Sequence, residues 1–322
     1  MNIGVIGSGF IVDVFVKGMA AYKHVNLYAI WGRHEEKIKK FACFNKYYTN
    51  IDDFLNDENI DVVYVAIPNG LHFDYAYKAL KANKHVLLEK PFCKNYKQAK
   101  KLVDYAKSHN LLLFETIMTK YTPAYLKLQE SIKDLGEIKM INCSFCQYSR
   151  RYDKFKNGEI LPAFDYKLAG GALMDLGVYT IHFVTDIFGM PKDVKYYPNI
   201  INKVDTSGTL ILDYKTFKAT LVFAKDCKSP SYCQIQGDKG YIRVNSTASR
   251  VADYELVLND GNTNEFKQED NSEFSAWKSL YDEFMNLYES NDLITSYKHL
   301  EDTLRVQKVL DKARISANID ID

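Results

Sequence analysis

The chain has 322 residues, with 42 basic and 41 acidic side chains and a formal net charge of +1. Hydrophobic residues make up 47% and charged residues 26%, the proportions of a folded globular chain with room for two domains and a substantial core. The charge balance gives no argument for a nucleic-acid or membrane-surface partner, and no uninterrupted apolar run approaches the ~20 residues of a membrane-spanning helix.

The N-terminal run NIGVIGSG reads as a strand that ends in Gly7-Ser8-Gly9 and passes into a helix reaching about residue 22. No basic leader precedes a long apolar region there, so no secretory signal is expected. VNLYAIWGR follows as a strand and HEEKIKKFA as a helix. IDVVYVAIP is a continuous, β-branched apolar run, the pattern of a strand buried on both faces. HFDYAYKALKAN is helical, HVLLEKP a strand, KQAKKLVDYAKSHN a helix and LLLFETI a strand. Strand and helix alternating in this way predict parallel βαβ units with right-handed crossovers, a doubly wound sheet of the Rossmann type.

Past about residue 120 the rhythm changes. TPAYLKLQESIKD reads as a helix and EIKMINCSFCQYSRR as a long strand. GGALMDLGVYTIH, residues 170–182, opens another helix, stopped by Gly189 and Pro191. GTLILDYKTFKATLVFA predicts a hairpin turning near Asp213 to Thr216, and SYCQIQGDKGYIRVN a second turning at Gly237 to Gly240. Helices return at about 273–289 and 299–316. The fold class expected is α/β: a dinucleotide-binding Rossmann domain over residues 1–120, then an α+β domain over 121–322 with a mostly antiparallel open sheet.

Six cysteines, Cys43, Cys93, Cys143, Cys146, Cys227 and Cys233, are scattered along the chain and imply no disulfide framework, so a reducing compartment, the cytoplasm, is expected. Cys143 and Cys146 form a single C-x-x-C inside a strand-like run. With no second pair, buried small side chains are expected there and no metal site.

Glycines between the first strand and first helix permit a tight turn and let a pyrophosphate approach the helix N-terminus. Gly7, Ser8, Gly9, Phe10 and Ile11 are the residues placed for that contact. Val12 stands where the motif usually has Gly or Ala, a position that governs helix–strand packing. At the end of the second strand an acid would hold a ribose 2′-OH, but the sequence has Arg33, whose guanidinium can grip a 2′-phosphate. NADP is therefore favoured over NAD.

Three segments carry the candidate chemistry. AIPNGLH (66–72) follows one apolar strand and LLEKPF (87–92) ends the next, at carboxyl ends where doubly wound sheets bind ligands. In the third, Asp175 and Tyr179 are spaced i, i+4 and predict one helix face, continued by His182 and Asp186. Leu173, Ile181, Val184 and Phe188 fall opposite, so the helix is expected to bury that side and present the polar one. No G-x-S-x-G elbow and no H-E-x-x-H motif is present.

Together these motifs resemble the glucose–fructose oxidoreductase / inositol dehydrogenase / rhizopine-catabolism (Gfo/Idh/MocA) family over nearly the whole chain. The resemblance implies an NAD(P)-dependent oxidoreductase acting on sugars, polyols and related hydroxy or carbonyl compounds. It implies Lys90 and Asp175 as catalytic residues, and Pro68, Asn69, His72, Glu89 and Lys90 as cofactor-site residues. Many members have histidine four residues after the helix aspartate. Tyr179 here looks like the glucose–fructose oxidoreductase and dimeric dihydrodiol dehydrogenase branch, where a tyrosine is the acid/base. A tyrosine pKa near ~10 is high for that work, and a nearby ammonium such as Lys90 lowers it. Substrate contacts are expected from Tyr148, Arg150, Arg151, Tyr152 and Asp165, with His182 beside them. The resemblance also implies oligomers built through the second-domain sheet, a homodimer or higher. Two rival readings share the fold: a non-catalytic dinucleotide sensor or co-regulator, and an NAD-dependent glycosidase.

Overall fold

The first strand, β1 (Asn2–Ile6), is apolar and buried from Ile3 onward. It leads into α1 (Phe10–Met19), followed by β2 (Asn26–Trp31), α2 (Glu35–Ile38), β3 (Lys46–Tyr48), α3 (Ile51–Leu55) and β4 (Val62–Val65). Then come α4 (His72–Lys81), β5 (His85–Leu88), α5 (Tyr96–Ser108) and β6 (Leu113–Glu115). The strands form one parallel six-stranded sheet in the order β3-β2-β1-β4-β5-β6, the doubly wound order expected. Val62 to Val65 are all fully buried, as a strand covered on both faces must be. Helix α5 starts where Asn95 accepts a hydrogen bond from the Gln98 N–H (2.9 Å). It buries Ala99, Leu102, Val103 and Ala106, the i, i+3, i+4, i+7 stripe. Of HEEKIKKFA only one turn is helical, with Ile38 its buried residue. Strand β3 has three residues and helix α3 five, too few for a periodic signal.

The second set of elements is α6 (Pro123–Ser131), β7 (Ile138–Cys146), α7 (Tyr152–Lys156), a π-helical segment (Leu173–Gly177) and α8 (Val178–Phe188). Strands β8 (Asp193–Ile201), β9 (Val204–Asp213), β10 (Lys218–Ala224), β11 (Tyr232–Gly237), β12 (Gly240–Val244), β13 (Asp253–Leu258) and β14 (Thr263–Lys267) follow, then α9 (Ser275–Ser290) and α10 (Leu293–Ser316). The sheet order is β14-β13-β12-β11-β7-β10-β9-β8, antiparallel except where β10 pairs with β7. Both predicted hairpins form, with Asp213 opposite Lys218 and Gln236 opposite Tyr241. Cys143 lies buried opposite Cys233, and all six cysteines are free thiols.

The computed structural model describes residues 1–270, 272 and 274–320. One compact unit is Met1–Thr116 with Tyr281–Leu304; the other is Ile117–Leu280 with the residues from Arg305 on. The sequence reading gave all of 121–322 to one domain, but Tyr281–Leu304 belongs with the parallel sheet. The Tyr281 ring is fully buried edge-on to Phe15 (centroids 5.7 Å), which stacks on Tyr64 (3.9 Å). Thr303 donates to the buried Glu115 carboxylate (2.7 Å) and Tyr22 to Asp282 (2.6 Å). Helical periodicity shows that such segments have a buried side and says nothing of what covers it.

In the second unit the Gly170-Gly171 turn is tied to β9. Gly171 has φ +127°, and a Cβ there would stand 1.9 Å from Asp205 Oδ1. Asp205 Oδ2 accepts hydrogen bonds from the Leu173 N–H (2.7 Å) and the Tyr196 hydroxyl (2.7 Å), so it caps the helical run. From Val178 to Thr185 every residue of α8 is buried, which overturns the expected division into a covered and a presented side. The stretch Tyr166–Phe188 is apolar enough to match a membrane span in composition, and most of it is covered by the protein.

Two outcomes are expected. Tyr281→Ala removes a fully buried ring and costs about 3–5 kcal/mol of stability, measured by urea unfolding. Burial raises the Asp205 pKa from 3.8 to about 6, so the native state keeps a proton that the unfolded chain has released. The stability this group contributes is complete below pH 3.8 and is lost as pH rises through about 6. Asp205→Asn keeps an oxygen acceptor but no titrating proton. Its Tm relative to wild type therefore rises as the pH of the melt is taken from about 4 to about 6.

Candidate active site

In the first unit, the carboxyl ends of β1, β4 and β5 bring three turns together. Gly7 continues β1, its N–H donating to Trp31 O (3.0 Å), and the Ala66 N–H donates back to Ile6 O (2.9 Å). Gly7 has φ +133°, and a Cβ there would lie 2.2 Å from Ala66 O, so no other residue fits. Gly9 is the N-cap of α1 and brings no side-chain acceptor, and a Cβ added to it would meet nothing within 4 Å. A helix N-terminus opening on free space through glycine suits a dinucleotide pyrophosphate. Ser8, Ile11, Pro68, Asn69 and Lys90 are partly exposed, and Phe10 and Arg33 are exposed. Val12 is wholly buried, its branched side chain accommodated between helix and sheet.

Two residues expected at the cofactor are placed otherwise. His72 has no exposed surface; its Nδ1 is 2.9 Å from Pro91 O and its Nε2 2.9 Å from Ile67 O. It joins the turn after β4 to the turn after β5. Burial holds its pKa below the ordinary value, with the backbone contacts opposing. A neutral imidazole has one N–H to give, so one of the two contacts is a hydrogen bond at a time. Glu89 is also interior: its carboxylate accepts from the Tyr64 hydroxyl (2.6 Å) and the Lys90 N–H (3.2 Å). Burial raises its pKa against the pull of Tyr64. Both side chains fix the loop that presents Lys90.

In the second unit the π-helical segment and α8 carry Asp175 and Tyr179. Asp175 is 31% exposed and makes an ion pair with Lys225 Nζ (2.9 Å). Lys225 is 1% exposed, donates to Ala163 O (2.6 Å) and holds its ammonium 4.4 Å from the Phe164 ring centroid. Tyr179 is 7% exposed, with the Phe145 ring 6.0 Å away. His182 is interior and pairs with the buried Asp186 carboxylate (3.2 Å) instead of extending an open stripe toward substrate.

The remaining substrate candidates lie on the segment before the Gly170-Gly171 turn. This segment has its own small core of Tyr152, Phe155, Phe164 and Val204. Tyr148 is exposed, bonded to Asp153 (2.6 Å) and Lys156 (3.0 Å). Arg150 and Arg151 are exposed, and Tyr152 is buried in the small core. Asp165 spends one oxygen on the Lys167 N–H (2.9 Å), so it is a turn cap first. Sequence reasoning missed Lys225 and Asp205; the one signal for Lys225 was a lysine continuing the apolar strand LVFA without a break. Among the described residues no cluster of His, Cys, Asp and Glu is arranged to hold a metal ion.

Residues 1–116 match an oxidoreductase family with an NAD-binding Rossmann fold, and residues 125–243 match the GFO/IDH/MocA C-terminal domain. The chain is 32% identical over 318 residues to scyllo-inositol 2-dehydrogenase (NADP(+)) IolU of Bacillus subtilis, covering 98% of this chain and 96% of that one. It is 29% identical over 254 residues to trans-1,2-dihydrobenzene-1,2-diol dehydrogenase of Xenopus tropicalis, 76% of this chain and 74% of that one. Among solved structures, the 3-ketoreductase KijD10 from Actinomadura kijaniata with NADP and TDP-benzene matches in fold, with a TM-score of 0.85, 23% identity and coverage of 98% and 97%. The chain belongs to the GFO/IDH/MocA oxidoreductase family, NAD(P)-dependent enzymes that interconvert CH–OH groups and carbonyls.

Proposed function

We propose that this oxidoreductase interconverts a hydroxyl and a carbonyl on a sugar, polyol or related compound, with Tyr179 as acid/base, Lys90 assisting and NADP preferred to NAD. The substrate class follows the relatives, which act on an inositol and on a dihydrodiol. The observation that carries the reading is the setting of Tyr179: a nearly buried phenol directly after a π-helical segment that holds a paired carboxylate. Single π turns inside helices recur at functional sites.

The bound nicotinamide supplies or accepts the hydride at C4. The chain's own residues handle the proton. In reduction, Tyr179 Oη gives its proton to the carbonyl oxygen as the hydride reaches the carbonyl carbon. In oxidation, tyrosinate takes the hydroxyl proton as the hydride leaves. The part we assign to Lys90 is that of an ammonium, which would favour tyrosinate and stabilise the alkoxide. Gly7, Ser8, Gly9, Phe10 and Ile11 would hold the pyrophosphate, Arg33 the 2′-phosphate, and Pro68 and Asn69 the nicotinamide side.

We also infer a homodimer formed through the open face of the eight-stranded sheet. The register puts Met140, Tyr197, Val222 and Tyr241 on that one face, each at least 36% exposed. We place the enzyme in the cytoplasm, the reducing compartment that scattered cysteines suit.

Two measurements test the reading. Tyr179→Phe is expected to keep NADPH binding, followed by fluorescence, and to lose turnover by roughly 10²-fold or more; unchanged turnover removes tyrosine from the chemistry. Arg33→Ser is expected to raise KM for NADP by about tenfold or more and to leave KM for NAD within about twofold. Equal changes for the two cofactors would defeat the 2′-phosphate contact.

A further inference from the structure

Lys225 follows β10 without a break, and its backbone is held on both sides. Its N–H donates to Thr206 O (2.8 Å), and its carbonyl accepts from the Ser149 N–H (2.9 Å). The side chain is buried, and its ammonium reaches three partners: the Asp175 carboxylate, the Ala163 carbonyl and the face of Phe164. Asp205 also feels the charge of Lys225, which pulls against the effect of burial on that carboxyl.

This arrangement is costly for the fold. Asp175 is 31% exposed and could be solvated without help. An unbranched apolar side chain at position 225 would fill the space under Phe164 with no charge to desolvate. A buried ion pair seldom stabilises more than its apolar replacement, so its presence here points to a role beyond packing. What it achieves is direction. One carboxylate oxygen is fixed at 2.9 Å from a cation that is itself immobile, four residues before Tyr179. The same cation holds the 162–165 turn, from which the Gly171 N–H takes its own acceptor, Ala163 O (3.2 Å).

We propose that Lys225 is a positioning residue for the reaction. It fixes the Asp175 carboxylate on the helical run that carries the acid/base tyrosine and ties it to the segment that carries Tyr148, Arg151 and Asp165. The inference rests on the assignment of Tyr179 as acid/base.

The test is a double-mutant cycle on the full-length enzyme with Lys225→Met, Asp175→Asn and the combined variant. Turnover is measured with NADP⁺ and whichever polyol of a panel that includes scyllo-inositol the wild type oxidises fastest. Each single variant is expected to lower kcat by roughly tenfold, with KM for NADP within about twofold, and the combined variant to be no slower than the slower single variant. Either single variant turning over like wild type overturns the proposal, and so do losses that multiply in the combined variant. Asp175→Asn leaves the buried Lys225 ammonium without its counter-ion and can fail to fold. In that case Lys225→Met is compared with the combined variant, which carries no lone buried charge. Equal kcat supports the proposal and a further drop overturns it. Tyr179→Phe assayed alongside separates the two readings. Turnover retained there overturns the acid/base assignment and this inference with it. Turnover lost there, with independent effects at 225 and 175, overturns this inference alone.

Discussion

A carboxylate that enters a protein interior has to meet fixed donors, because an uncompensated buried charge costs several kcal/mol. The chain meets this demand repeatedly. Glu89 takes the Tyr64 hydroxyl, Glu115 the Thr303 hydroxyl, and Asp205 the Tyr196 hydroxyl and the Leu173 N–H. Asp186 faces His182, and Asp175 faces Lys225. Three of these acids adjoin groups assigned to the chemistry. Glu89 precedes Lys90 and accepts its N–H; Asp205 sets the start of the helical run; Asp175 lies on that run ahead of Tyr179. The anchors give the reactive side chains positions that the surrounding core dictates, which is the condition for holding a catalytic geometry.

Helix α8 shows the same principle in apolar form. A helix covered on every side cannot tilt or roll without opening cavities, and close-packed interiors resist that. Its N-terminal extension is π-helical, with one extra residue per turn relative to the α ladder, so the side chains there are not in α register. Asp175 and Tyr179 are therefore not the simple i, i+4 pair of a straight α-helix. Asp175 is partly exposed while Tyr179 and His182 are inside.

The sequence made the larger plan legible where a local pattern reports a local cause. The apolar run of β4, the Gly7-Ser8-Gly9 turn, and the hairpins at Asp213 and Gly237 each carry their signal within a few residues. Elements without periodicity did not show: β3 and α3 are too short, and the edge strand β14 is mostly exposed, with little apolar alternation. The site was legible as a set of residue types and opaque as a set of contacts. His72 and Glu89 have the chemistry of cofactor contacts, and only the folded chain shows both turned inward to hold loops. His182 and Asp186 have the spacing of an exposed stripe, and their pairing with each other follows from the burial of the whole helix. Lys225 meets Asp175 because the π-helical segment packs against β10, a relation no window of sequence contains.

The return of Tyr281–Leu304 to the first unit has a consequence for how the protein is made. Tyr22 and Asp282, which bond to each other, are 260 residues apart in sequence, and Glu115 waits for a donor 188 residues downstream. Synthesis runs from the N-terminus, so the six strands of the parallel sheet leave the ribosome long before the helices that cover Phe15 and satisfy Glu115. The nucleotide-binding half is thus the first to emerge, and it cannot close until Leu304 has been made. In the interval it exposes apolar surface, and chaperones have a defined patch to recognise on the nascent chain.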